Sequence, residues 1–144
     1  MVSIELRVRR LHPDALLPHR SSDSATGLDL YACLEEPTVV TDTPRMIPCG
    51  VALEFPYGFD VQVRPRSGLS LKGVAVALGT IDADYRGELL VTMWTVGPRE
   101  PYEVRHGDRI AQLVVAPLAT AAVVEVAELS STARGDGGHG STGR

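Results

Sequence analysis

Cysteine is scarce in this chain, and its scarcity limits the metal and redox chemistry that the chain can support. Only Cys33 and Cys49 occur among 144 residues, they form no CxxC pair, and the four histidines are scattered. These are too few clustered ligands for a structural zinc site. One disulfide is conceivable, but two buried thiols are the expected state in an intracellular protein.

Long apolar runs and an excess of positive charge are also lacking. No run of about 18 apolar residues occurs, so no membrane span is expected. The opening segment MVSIELRVRR alternates apolar and polar residues and lacks the apolar region of a signal peptide, which makes the cytoplasm the expected location. The net charge of −4 argues against a nucleic-acid polymer as the main partner, because such binders usually carry a basic face.

Helical periodicity is missing as well, and a period of two takes its place. Residues 2–8 and 59–63 put every second side chain on one apolar face, and only residues 67–73 favour a short helical turn. The other strand-like runs are RMIPCGVALEF, VAVAL, ELLVTMWTV, RIAQLVVAPL and AAVVEVAEL. Many short strands separated by Gly and Pro predict an all-β sandwich, barrel or jelly roll.

The C-terminal segment has almost nothing apolar to bury. The last strand-like run ends near Leu129, and the chain finishes with RGDGGHGSTGR. Hydrophobic burial cannot offset the ordering entropy of such a segment, so it is either a disordered leftover or a part that becomes ordered when something binds. We therefore expect a β domain over residues 1–129 and a flexible arm over residues 130–144.

Two polar stretches interrupt the strand pattern in the first half of the chain. SATGLDLYA, at 24–32, places Asp29 between two leucines, where a carboxylate needs a partner, although a turn aspartate at a strand entrance would look the same. RPRSGLS, at 64–70, can offer a guanidinium, a hydroxyl and backbone N–H groups to one anion. An ordinary turn explains this second stretch equally well.

Two further polar stretches follow, and the arm is the fifth. GTIDADYRGELLV, at 79–91, has the pattern of a hairpin that carries two carboxylates, a tyrosine and an arginine. A solvated loop could have this composition, but such a set around one turn is more often a site. In GDRIAQLVV, at 107–115, Gln112 interrupts an apolar strand, for which a satisfied buried amide is the simplest explanation.

Taken together and in this order, the five stretches resemble the five motifs of the trimeric dUTPase family. The resemblance runs from about residue 24 to the C-terminus, and its most specific parts are PRSG, IDADYRGE and RGDGGHGSTG. It implies an all-β subunit with the jelly-roll (β-clip) fold, assembled into a homotrimer with three active sites between subunits. The arm of one chain would close an active site of a neighbouring chain, which would give the polar tail a role.

The reaction implied by this resemblance is that of a dUTP diphosphatase, a hydrolase that converts dUTP and water into dUMP and pyrophosphate. The reaction lowers dUTP and supplies dUMP for thymidylate synthesis. Asp82 would be the general base for a water that attacks the α-phosphorus, a role that contributes roughly 10²–10⁴-fold in rate. Asp29 would hold, through water, a Mg²⁺ ion chelated by the three phosphates.

The resemblance also implies which residues of the folded domain bind the phosphates. Arg66, Ser67 and the N–H group of Gly68 would grip them, with Gln112 assisting from another subunit. Arg64 adds a positive charge beside this motif, and the resemblance implies no role for it.

Recognition of the nucleoside is implied for the hairpin and its surroundings. The backbone groups that would form hydrogen bonds with uracil belong to Gly79, Thr80, Ile81 and Leu90. Cytosine would set a donor against a donor there, and an unpaired group costs about 1–3 kcal/mol. Tyr85 would pack on the deoxyribose and exclude a 2′-hydroxyl. Val76 occupies a position near uracil where several bacterial members carry asparagine and others an apolar residue.

The arm would supply the remaining substrate contacts. Its implied substrate-binding residues are Arg134, Gly138, His139, Gly140, Ser141 and Thr142. Arg134, Ser141 and Thr142 would reach the β and γ phosphates, so that the site is complete only after the triphosphate has bound. His139 stands where many members have a phenylalanine that stacks on uracil, and histidine can keep that role.

Two other functions remain open on the same scaffold. A non-catalytic nucleotide sensor or protein-binding module would be expected to lose the base first, whereas Asp82, Tyr85 and Arg134 are all present. The related dCTP deaminases share the fold, but they lack the third motif and the arm. We therefore expect an enzyme that acts on dUTP.

Overall fold

The computed structural model describes residues 1–140 and 143, and within them the chain forms eleven β-strands and one short helix. The strands are β1 (Arg7–Arg10), β2 (Leu28–Tyr31), β3 (Thr38–Val40), β4 (Arg45–Pro48), β5 (Val51–Glu54), β6 (Phe59–Arg64), β7 (Val74–Val76), β8 (Gly79–Ile81), β9 (Leu90–Thr95), β10 (Tyr102–Val104) and β11 (Arg109–Pro117). The helix α1 spans Ser67–Leu71, within the segment that favours a helical turn.

The strands pair antiparallel into four sheets. The largest has the order β2-β11-β6-β8, and β11, one of its two inner strands, is also the longest strand. The others have the orders β4-β9-β7, β1-β5 and β10-β3. Because most neighbouring strands are distant along the chain, the sheets are closed by crossovers rather than by simple hairpins. The prediction of an all-β jelly-roll fold is confirmed.

One hydrophobic cluster joins these sheets, and the period of two explains it. In β6, Val61 and Val63 are buried, while the alternating polar residues lie on the opposite face. Leu113 of β11 and Met93 of β9 are fully buried in the same cluster. Each such side chain contributes about 1.5–3 kcal/mol relative to an exposed one.

The strand prediction for residues 121–129 is wrong for a single chain. This run has the composition of a strand, but it forms none, and Val123 is 98% exposed. A strand must satisfy its backbone N–H and C=O groups on a neighbouring strand, and the described part of the chain offers this run no such neighbour. The predicted N-terminal strand is also shorter than expected, because only Arg7–Arg10 pair with β5.

Both cysteines are free thiols, as expected, but only Cys49 is buried, while Cys33 is half-buried. Burial raises the pKa of the Cys49 thiol to about 12.

No helix in the described part of the chain is long and apolar enough to cross a membrane.

Candidate active site

Asp29 lies at the centre of a polar cluster on the outer face of the large sheet. Its neighbour across β11 is Gln112, and the residue opposite Gln112 on β6 is Arg64. Its backbone also exchanges hydrogen bonds with His19, at 2.7 and 3.2 Å. The Asp29 side chain is only 10% exposed, so its charge needs partners close by.

Three side chains supply those partners. Oδ1 of Asp29 lies 3.3 Å from Nε of Arg66, and Oδ2 lies 3.6 Å from Nη1 of Arg109. Ser21 Oγ donates a hydrogen bond to Oδ2 at 2.8 Å. Two guanidinium groups thus face one carboxylate, which leaves the cluster with a net positive charge that suits an anionic ligand.

The second motif lies at the edge of this cluster. Arg66 precedes α1, donates a hydrogen bond from Nη1 to the carbonyl oxygen of Arg109 at 3.1 Å, and accepts backbone hydrogen bonds from Leu69 and Ser70. Ser67 and Gly68 open the helix and are exposed, while the buried Leu69 anchors it to the core. The first N–H groups of a helix have no acceptor within it, so those of Ser67 and Gly68 can point to a ligand.

Gln112 lies beside the second motif of its own chain. Its Nε2 donates a hydrogen bond to the carbonyl oxygen of Pro65 at 2.9 Å. Gly27 makes this packing possible, because a Cβ atom at that position would lie 2.2 Å from Oε1 of Gln112. The expectation that Gln112 acts from a different subunit than Arg66 is therefore wrong. We call Asp29, Arg66, Ser67, Gly68 and Gln112 the phosphate half-site.

The third motif forms a tight loop between β8 and β9. The N–H group of Tyr85 donates to the carbonyl oxygen of Asp82 at 3.0 Å, and the Tyr85 hydroxyl donates to the carbonyl oxygen of Glu88 at 2.8 Å. Gly87 leaves room for the tyrosine ring, since a Cβ atom there would lie 2.4 Å from the hydroxyl oxygen. The loop thus fixes Tyr85 over its own backbone.

A pocket of about 210 Å³ opens beside this loop. The predicted site residues that line it are Gly79, Thr80, Ile81, Asp82, Tyr85 and Leu90. Val63 also lines it, and a Cβ atom on Gly79 would lie only 3.3 Å from that of Val63. We call these residues the nucleoside half-site; the structure brings together every residue of the third motif that the resemblance implied.

Asp82 and Arg66 lie at opposite ends of β6 within one chain. Ile81, which precedes Asp82, pairs with Val61, whereas Arg64 pairs with Gln112 at the other end of the strand. Asp82, the position after Ile81, faces Asp60 on β6. Asp60 and Arg64 are four residues apart, and a rise of about 3.3 Å per residue gives a separation of ~13 Å along the strand. Arg66 lies farther along the chain, so a single chain does not bring the two half-sites to one reacting phosphate.

The described residues of the arm make no polar contact with either half-site in a single chain. Arg134 donates to the carbonyl oxygen of Gly137 at 2.7 Å, and His139 has a positive φ of 51° next to Gly138 and Gly140. Between residues 119 and 140, no hydrogen bond or ion pair reaches the β domain. The predicted contacts of Ser141 and Thr142 fall outside the described residues.

One implied site residue is misplaced, and two contacts went unpredicted. Val76 is buried in β7, where it pairs with Met93, so its side chain packs in the core and does not line the nucleoside half-site. Ser21 and Arg109 both contact Asp29 but were not among the predicted residues. Arg109 lies in the fourth polar stretch, three residues before Gln112, but only the pairing of β2 with β11 shows that it reaches Asp29.

Comparison with known proteins places the chain among relatives. A protein-family model described as dUTPase matches residues 14–143. Two relatives, from Syntrophotalea carbinolica and Hydrogenobaculum sp., are named deoxyuridine 5′-triphosphate nucleotidohydrolase. Their sequences are 49% and 45% identical to this chain, and the alignments cover 99% and 97% of this chain and 99% of each relative.

Solved structures agree with the sequence relatives. A mutant dUTPase of Staphylococcus bacteriophage 80alpha, solved with dUpNHpp, superposes with a TM-score of 0.82 at 27% identity over 97% of this chain and 99% of that chain. A mutant dUTPase of phage phi11 of S. aureus, described as coordinating a structural Mg(II) ion, gives 0.80 at 26% identity over 88% of this chain and 99% of that chain. This chain belongs to the dUTPase family.

Proposed function

We propose that the protein is a dUTP diphosphatase, which hydrolyses dUTP to dUMP and pyrophosphate and so supplies dUMP while lowering dUTP. The observation that carries the proposal is the nucleoside half-site, where Asp82 and Tyr85 border the same pocket as the exposed backbone of β8. The names of relatives that are 45–49% identical over nearly the whole chain support it.

In this proposal Asp82 is the general base. Its carboxylate is exposed and accepts no hydrogen bond within the described residues, so it is free to accept a proton from water. The water then attacks the α-phosphorus, and pyrophosphate leaves as the bond to the bridging oxygen breaks. A positioned base contributes roughly 10²–10⁴-fold, so alignment and charge neutralisation of the triphosphate must supply the larger share.

The phosphate half-site supplies this neutralisation. Arg66, Ser67 and the N–H group of Gly68 hold phosphate oxygens, and Gln112 assists from the same chain. The carboxylate of Asp29 keeps Arg66 oriented, because the two groups pair at 3.3 Å. Arg109 shares the Asp29 carboxylate and adds positive charge to the half-site.

The residues of this cluster fit a Mg²⁺ ion only through water. In the described part of the chain, no group of three or more His, Cys, Asp or Glu side chains converges as a metal site. Both oxygens of Asp29 already have partners, but each carboxylate oxygen has a second lone pair that can accept from a metal-bound water. When bound to the triphosphate, a Mg²⁺ ion supplies charge neutralisation of the phosphates.

Because Asp82 and Arg66 are far apart in one chain, we propose that each active site combines the nucleoside half-site of one subunit with the phosphate half-site of another, in a homotrimer. The arm, residues 130–144, closes the site from a neighbouring chain. Arg134, Ser141 and Thr142 contact the β and γ phosphates, and His139 stacks on uracil. A cytoplasmic location stays a prediction.

Selectivity for dUTP follows from the hairpin. The backbone of Gly79, Thr80 and Ile81, with Leu90 on the returning strand, presents donors and acceptors that pair with uracil but not with cytosine. Tyr85 is held by its hydrogen bond to Glu88, so it cannot swing away from a 2′-hydroxyl without losing that bond.

The test is release of pyrophosphate from dUTP, dCTP, dTTP and UTP at equal concentrations in the presence of Mg²⁺. We expect fast release from dUTP and slow release from the other three. Equal release from dUTP and dCTP would contradict the role of the hairpin in recognising uracil. Tight binding of dUTP without pyrophosphate release would indicate a nucleotide sensor and not an enzyme.

A further inference from the structure

We propose that Arg86 is a positioning residue, which holds the loop of residues 82–87 so that Asp82 and Tyr85 keep their catalytic arrangement. The inference rests on the proposed function and adds a residue to it. Arg86 lies in the third motif but lines neither half-site.

The hydrogen bonds of Arg86 close the loop from within. Its Nη1 atom donates to the carbonyl oxygen of Ala83 at 2.7 Å and to that of Tyr85 at 3.1 Å. Ala83 directly follows Asp82, so one guanidinium nitrogen connects the backbone next to the base with the backbone of the residue that packs on the sugar. Hydrogen bonds from a charged donor are stronger than those between neutral groups.

A second contact joins Arg86 to the β1-β5 sheet. Its Nη2 atom lies 4.0 Å from Oε1 of Glu54 on β5. Nη1 of Arg7 on β1 lies at the same distance, 4.0 Å, from the same Glu54 oxygen. All three side chains are about half-exposed or more, so these ion pairs contribute little by themselves, and the two loop hydrogen bonds are what distinguish Arg86 from Arg7.

Asp82 needs such support because its side chain has no polar partner of its own in the described part of the chain. Within the described residues its carboxylate has no hydrogen-bond or ion-pair partner, and the direction of the side chain therefore depends on the loop backbone. Tyr85 depends on the same loop, since its N–H group donates a hydrogen bond to the backbone carbonyl oxygen of Asp82. A shift of the loop would therefore both displace the Asp82 carboxylate and widen the space between Tyr85 and the deoxyribose.

The experiment compares Arg86→Ala with Arg7→Ala, which removes a matched contact to Glu54 but leaves the loop intact. For Arg86→Ala we expect kcat to fall by about 10- to 100-fold, because small displacements of a catalytic group have effects of that size. The preference for dUTP over UTP should fall as well. Arg7→Ala should change neither quantity, and Arg86→Lys, which keeps one charged donor, should recover part of both.

The ratio of kcat/KM for dUTP to that for UTP is the decisive readout, because the fraction of folded protein cancels in it. An unchanged ratio in Arg86→Ala, or an equal loss in Arg7→Ala, would overturn the positioning role even if activity fell through unfolding. A wild-type protein without turnover of dUTP would instead overturn the proposed function, and the positioning role with it.

Discussion

At the scale of single residues, the two motif aspartates have opposite surroundings, and this difference separates their roles. Asp29 is buried and pairs with two guanidinium groups and a hydroxyl. Asp82 is exposed and has no side-chain partner within the described residues. The Asp29 carboxylate is engaged in ion pairs with Arg66 and Arg109, whereas the Asp82 carboxylate lies beside a pocket, where it can serve as a general base.

Replacing Asp82 by asparagine tests this assignment. We expect kcat for dUTP to fall by at least ~10²-fold, because the amide cannot accept the proton, while binding of dUTP persists. Single-turnover assays and equilibrium binding would measure the two effects separately. Asp84→Asn is the matched control, since Asp84 lies exposed in the same loop, and it should stay close to wild type. Comparable losses in both variants would remove Asp82 from its special role.

The buried thiol of Cys49 predicts how stability depends on pH. Its pKa is raised to about 12 in the folded protein by burial, whereas the thiol of the unfolded chain has its ordinary pKa of 9.0. Above pH 9 the unfolded state therefore binds fewer protons, and stability falls as pH rises, by roughly 1 kcal/mol at pH 10 from this group. Urea unfolding of wild type and Cys49→Ala at pH 8 and pH 10 would measure it. Parallel losses in both proteins would show that the thiol is not responsible.

At the scale of elements, the sequence predicts most of the strands that pair within the chain, but it misses the three-residue strands β3 and β10 and predicts a strand at residues 121–129 that does not form. The alternation in residues 59–63 becomes β6, and RIAQLVVAPL becomes β11. Residues 121–129 have a similar composition but form no strand. The prediction failed because composition does not reveal whether a free sheet edge is available to pair with such a run.

The candidate site shows the same division between local pattern and spatial arrangement. Residues within one motif, such as Asp82 and Tyr85, could be assigned together because the loop keeps them adjacent. The grouping of Asp29 with Ser21 and Arg109 could not be predicted, since it depends on the pairing of β2 with β11. Val76 was assigned by position in the family pattern, and only the fold shows that it packs in the core.

The pairing of β2 with β11 also predicts the effect of Gly27→Ala. The added methyl group would lie 2.2 Å from Oε1 of Gln112 and displace the amide that bonds to Pro65. Overpacking of this kind costs about 1–3 kcal/mol in stability, and we expect KM for dUTP to rise. A double-mutant cycle with Gln112→Ala would measure the coupling, because removing the amide relieves the clash. Strict additivity of the two substitutions would contradict this explanation.

At the scale of the whole molecule, one chain carries all the motifs, but its described residues do not bring all of them together in one site. The phosphate half-site and Asp82 lie at opposite ends of β6, and the described arm residues make no polar contact with the β domain. The exposed apolar residues that precede the arm, Val123, Val124, Val126 and Leu129, are also without cover in one chain. A symmetric assembly would resolve these features together, because each subunit could supply what its neighbour lacks.

Mixing two inactive variants shows whether one active site draws residues from two subunits. Asp82→Asn lacks the base and Arg66→Ala lacks the phosphate-binding guanidinium, so each homotrimer should be inactive. In trimers assembled randomly from equal amounts of both, about a quarter of the sites would draw an intact Asp82 from one chain and an intact Arg66 from another. We therefore predict recovery of about one quarter of the wild-type rate of pyrophosphate release. If the mixture, with subunit exchange verified, stayed as inactive as its components, the active site would lie within one chain and the account would be wrong.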